Sequence, residues 1–62
     1  ITHAMKQLAK EEGLNTLINY IEEAVISEFL DKHEGKYTPA RIDLKLSADK
    51  IIRVMKRIEK RN

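Results

Sequence analysis

At 62 residues the chain has room for one domain and buries only about 60% of the surface its unfolded form exposes, so its fold calls for reinforcement. It contains no cysteine and carries a formal net charge of +2, and His3 and His33 lie far apart without neighbouring ligands. A disulfide framework and a structural metal site are thereby excluded, and self-association is the reinforcement that remains.

Glycine and proline interrupt the chain only at Gly13, Gly35 and Pro39, and the apolar residues between them recur at helical rather than alternating spacing, which predicts an all-α fold. Residues 1–13 read as a short helix or linker, with Met5 and Leu8 on one side and Gly13 as its C-cap. A long helix over 15–33 follows, opened by Asn15 as N-cap. Its apolar residues Leu17, Ile18, Ile21, Ala24, Val25, Phe29 and Leu30 recur at three- and four-residue steps. Tyr20 and Ile26 widen that face beyond what one small helix pair would cover, and a dimer interface is the simplest use for the excess. The segment His33-Glu34-Gly35-Lys36-Tyr37 ends this helix. Thr38 as N-cap with Pro39 at the first helical position opens a short helix over 38–45. Ser47 caps a last helix over 47–61, with Ile51, Val54, Met55 and Ile58 on its inner face.

Charge divides the chain. Residues 1–31 hold two lysines against six acids, a net of −4, whereas residues 32–62 hold ten bases against four acids, a net of +6. The second half therefore has the character of a polyanion-binding surface. The stretch from Tyr37 to Ile58 has the parts of a helix-turn-helix. Ala40 is small where two helices would cross, Leu44 and Leu46 flank a turn, and the second helix presents a largely basic outer side to a major groove about 12 Å wide. Ser47, Ala48, Asp49, Lys50 and Arg53 occupy the part of that helix that reaches base edges. Lys56, Arg57, Lys60 and Arg61 follow where phosphates would lie, and Lys36 and Thr38 add donors at the start of the preceding helix.

From about Ile21 to Ile58 the sequence resembles the Fis family, including the C-terminal DNA-binding domains of bacterial enhancer-binding transcription activators. The family pattern is a long helix ending near Gly-Asn, then a Thr, a small-residue pair, a Leu-Gly-Ile-Ser turn and a recognition helix. This chain reads Gly35-Lys36-Tyr37-Thr38-Pro39-Ala40-Arg41-Ile42-Asp43-Leu44-Lys45-Leu46-Ser47-Ala48-Asp49-Lys50-Ile51 and aligns without a gap. Lys36 stands in place of Asn, Arg41 in place of a small residue, and Lys45 where the turn favours glycine. The resemblance implies a homodimeric transcription-regulator module within a larger parent protein, as an opening Ile1 rather than Met also suggests. It implies DNA contacts from Lys36, Thr38, Ser47, Ala48, Lys50 and Arg53, to which their position adds Lys56, Arg57 and Lys60. The expected dimer interface comprises Leu17, Tyr20, Ile21, Ala24, Ile26 and Leu30.

Other features read as structural. Glu11, Glu12, Glu22 and Glu23 are expected on solvated helix faces, since adjacent helical positions point about 100° apart and so short a chain has no room for a catalytic pocket. His3 and His33 read as surface histidines, Tyr20 and Tyr37 as packing aromatics, and Ile52 as a partly buried packing residue. No enzyme activity, cofactor, metal or small-molecule substrate is implied. With no apolar run near the roughly 18 residues of a membrane span, and no leader segment, the expected location is the cytoplasm and no membrane partner is expected. Two alternatives to a DNA-binding dimer remain open at this level: a helical protein-protein interaction or assembly domain whose basic face meets an acidic partner, and a monomeric winged-helix-like DNA binder.

Overall fold

The computed structural model describes residues 1–61 and is all-helical, with four helices and no strand among the described residues: α1 (His3–Glu12), α2 (Leu14–Lys32), α3 (Tyr37–Leu44) and α4 (Ala48–Arg61). The core lies between the C-terminal half of α2, α3 and α4. Ile26, Ala40, Ile51 and Val54 are buried there, and Phe29, Leu30, Leu44, Leu46, Met55 and Ile58 close its edges. Ala40 is the small residue at the helix crossing, as its size suggests, and Ile51 and Val54 are the inward positions of α4. No described helix is long and apolar enough to cross a membrane.

α1 stands apart from this core. It packs on α2 alone among the described residues, and none of its side chains is fully buried. Thr2 caps it, accepting a hydrogen bond from the Met5 N–H at 3.2 Å. Gly13 ends it as expected, donating its N–H to the Ala9 carbonyl at 3.0 Å. With φ at 95° and ψ at 153°, Gly13 adopts a backbone that side chains disfavour, and it turns the chain within one residue. That economy moves the start of α2. The helix begins at Leu14 rather than after an Asn15 cap, with Gly13 itself in the capping position and no side-chain cap. The offset α1 explains why the Cα radius of gyration, 12.6 Å, exceeds the roughly 11 Å of an equally long compact chain.

Both remaining turns use one motif. After α2, the Gly35 N–H reaches the Leu30 carbonyl at 2.7 Å and the Glu34 N–H reaches Asp31 at 3.3 Å. After α3, the Leu46 N–H reaches Arg41 at 2.8 Å and the Lys45 N–H reaches Ile42 at 3.2 Å. These paired bonds satisfy the last carbonyls of each helix; the first turn carries Gly35 (φ 82°), and each turn places one non-glycine residue in the left-handed region. That residue is Glu34 (φ 58°) in the first turn and Lys45 (φ 57°) in the second, positions where glycine is the usual solution.

The start of α3 also differs from expectation. Tyr37, not Pro39, is the first helical residue, Lys36 precedes it in extended conformation, and no side chain caps the helix. Thr38 is consequently inside the first turn rather than a cap. Pro39 is accommodated because its missing N–H is one of the donors left unpaired in any first turn. Ser47 does cap α4, its Oγ accepting from the Lys50 N–H at 3.1 Å.

Candidate nucleic-acid interface

α4 carries two rows of bases, separated by its helical period. At roughly 100° per residue, Lys50, Arg57 and Arg61 lie along one flank of the buried Ile51–Val54 stripe, whereas Arg53, Lys56 and Lys60 lie opposite that stripe. The flanking row faces α2 and is paired. Lys50 Nζ lies 2.9 Å from Glu22 Oε2, Arg57 Nη2 donates to Glu22 Oε1 at 2.8 Å, and Arg61 Nε lies 2.7 Å from Glu23 Oε1. Arg57 Nε is 3.4 Å from Glu23 Oε2, and neither of these buried atoms has a hydrogen-bond partner. The Arg61 guanidinium also lies over the Tyr20 ring, 4.6 Å from its centroid, a cation–π contact that anchors the end of α4 to α2.

These pairs correct the expected roles of Glu22 and Glu23. Glu23 is 6% exposed and Glu22 is half-buried, so neither lies on a solvated face, unlike the exposed Glu11 and Glu12. The signal was present in the spacing: Glu23 falls three residues before Ile26 and seven before Leu30, on the stripe that enters the core. Hydrogen bonds from Arg57 and then Lys50 hold the Glu22 carboxyl below the usual carboxylate range.

The outer row is different. Arg53, Lys56 and Lys60 are exposed and take part in no ion pair among the described residues, and with the edge of Arg57 they line a shallow basic groove. Of the other expected contact residues, Lys36, Thr38 and Ser47 are exposed and Ala48 is half-buried. Lys50 and Arg57 are drawn toward α2. Arg41 is half-buried and donates to the Leu46 carbonyl at 3.3 Å, bracing the turn. Ile52 is at the margin of exposure, at 36%. His33 is not an isolated surface group: its Nε2 lies 2.7 Å from Asp43 Oδ2, with Lys32 Nζ at 3.9 Å from the same oxygen, tying the end of α2 to α3. No cluster of metal-ligating side chains occurs among the described residues.

The residues expected at a dimer interface separate into two groups. Leu17 and Ile26 are buried within the single chain and Leu30 is packed against its core, because α2 needs them to hold α1, α3 and α4. They are therefore not available on the surface. Tyr20, Ile21 and Ala24 are exposed. Alongside Ile21 runs a stripe not singled out in the sequence as a separate face: Leu14, Ile18, Ile21 and Val25 are each 42% to 63% exposed. At roughly 100° per residue it lies 140° to 180° around α2 from Glu23.

Comparison with family models, curated proteins and solved structures finds no match.

Proposed function

We propose that the chain is a DNA-binding module of helix-turn-helix type, with α3 and α4 as its two helices, working as a homodimeric transcription regulator. The observation that carries this reading is the outer row of α4. A helix whose apolar side is consumed by its own core offers Arg53, Lys56 and Lys60 on the opposite side, free of acidic partners. Such a ridge fits a phosphate-lined groove. Arg53, nearest the start of α4, is assigned to a base edge. Lys36, Lys56 and Lys60 are assigned to phosphates, and Thr38 and Ser47 supply hydroxyl donors.

The dimer is assigned to Leu14, Ile18, Ile21 and Val25, whose 4-3-4 spacing is that of a two-helix seam. Paired antiparallel, Ile18 would meet Ile21 of a second copy and Leu14 would meet Val25. The resemblance to the Fis family agrees with this arrangement, with the interface shifted to the outer side of α2. In this reading the protein is not an enzyme, and it acts in the cytoplasm. A second reading, an assembly domain that binds an acidic protein, draws on the pairing of Arg57 with two carboxylates, which shows that α4 accepts acids as partners.

Titration of a fluorescent random-sequence duplex over a range of salt tests the proposal. Six phosphate-facing lysines per dimer predict a log–log slope of about −5. Absence of binding at low salt overturns the DNA reading and favours the assembly domain.

A further inference from the structure

The inner row of α4 poses a question that the outer row does not. Lys50, Arg57 and Arg61 lie on the same helix as the proposed DNA ridge, yet each is held by a carboxylate of α2. Their side chains remain more than a third exposed, at 36%, 35% and 45%, so all three lie at the edge of the protein, within reach of an incoming polyanion. Their partners are less accessible, and Glu22 stays ionised because Arg57 and Lys50 hold it so. The contact between Arg57 Nε and Glu23 Oε2 is too long to be a good hydrogen bond and leaves both atoms unsatisfied. Arg57 is thus well bonded to Glu22 through Nη2 but poorly fitted to Glu23 through Nε. A phosphate could compete for it.

We infer that Glu22 and Glu23 are a built-in counter-anion that occupies Lys50, Arg57 and Arg61 and withholds them from phosphates. The inference rests on the DNA-binding reading. Non-specific affinity comes almost wholly from phosphate neutralisation, whereas specific affinity adds base contacts. Removing cations from the phosphate-binding set therefore lowers the phosphate-derived affinity for duplex of any sequence and flattens its salt dependence. The two carboxylates confine electrostatic contact to the outer row and so limit how strongly the domain holds duplex of arbitrary sequence.

The test compares the full chain with Glu22→Gln, with Glu22→Gln/Glu23→Gln and with Glu11→Gln/Glu12→Gln. Each is titrated into a random-sequence duplex from low to moderate salt, after circular dichroism has confirmed helicity. The last variant makes the same change in net charge on α1, away from α4, and its slope is expected to equal that of the parent. The double variant at Glu22 and Glu23 frees Lys50, Arg57 and Arg61 in both protomers and is expected to roughly double the slope, from about −5 to about −11. Glu22→Gln alone, which releases Lys50, is expected to give about a third of that change, and it decides the matter if loss of the buried Glu23 carboxylate unfolds the chain. An unchanged slope in folded variants, or a change matched by the α1 control, overturns it while leaving the DNA reading intact. Absence of binding by parent and variants alike overturns both.

Discussion

The two long helices end folding in opposite conditions. α4 has one main apolar side, and the monomer uses it: Ile51 and Val54 are fully buried, and apart from Ile52 what remains on the surface is mostly charge. α2 is apolar on two sides. One holds Ile26 and Leu30 against α3 and α4, and the other leaves Leu14, Ile18, Ile21 and Val25 in water. An apolar stripe left exposed on a helix whose other side already serves the core is surface suited to a further contact. The difference leaves two surfaces of different chemistry, a row of bases on α4 and an apolar stripe on α2, which the proposed function gives to DNA and to a second copy.

The sharpest way to break that contrast is to damage the side each helix uses for its own core. Ile51→Ala removes a fully buried side chain and is expected to cost about 2 to 5 kcal/mol, enough to unfold much of so small a domain, as urea denaturation followed by circular dichroism would show. Ile18→Glu/Ile21→Glu on the bare side of α2 is expected to do the reverse. Helicity survives, sedimentation gives the mass of a monomer, and affinity for a two-site duplex falls by about a hundredfold or more as the linked second contact is lost. A variant that keeps the parent's mass would refute the seam. On α4, Arg53→Ala is expected to cost about 1 to 3 kcal/mol against a selected site and to relax sequence preference at one position. A uniform loss across sequences would reassign Arg53 to phosphate.

How far the sequence disclosed this division depends on which interactions are local. The all-α fold, the end of α1 at Gly13, the Ser47 cap and the inward positions Ile51 and Val54 follow from spacing and backbone preference, which a single segment carries. The exact starts of α2 and α3 do not, because one residue of unusual backbone at Gly13 and an extended Lys36 replaced the side-chain caps that Asn15 and Thr38 offered. The least legible feature was the partition of α4's bases. Whether Arg57 is free depends on Glu22, 35 residues earlier, and on the rotation of α2 that buries Glu23. The apolar excess of α2 was visible, but its two sides could be sorted only once the core had claimed Leu17, Ile26 and Leu30.

Lys45 gives a smaller test of the same partition, since its left-handed conformation (φ 57°) serves the turn rather than either surface. Lys45→Gly is expected to stabilise the domain by up to about 1 kcal/mol, raising Tm by a few degrees. A fall in Tm would show that the lysine makes a compensating contact.

The smallest expected effect concerns the junction between the helices, where Glu22 couples them. Its carboxyl titrates below the usual carboxylate range when folded, owing first to the hydrogen bond from Arg57 and then to that from Lys50. In the unfolded chain it titrates in the ordinary range, so above that range both states are ionised and the pair contributes its full stabilisation. As pH falls, the unfolded chain takes up the proton first, and stability declines until the folded carboxyl is protonated as well. Because the pair is partly solvated, its whole contribution is expected to be within about 1 kcal/mol. Other carboxylates titrate in the same window, so the measurement is a difference: Tm of the parent minus Tm of Glu22→Gln, followed from neutral pH to about pH 3. That difference should be positive at neutral pH and shrink on acidification. A difference independent of pH would mean that Glu22 steadies the α2–α4 junction by packing, and that charge does not bind Lys50 and Arg57 to α2.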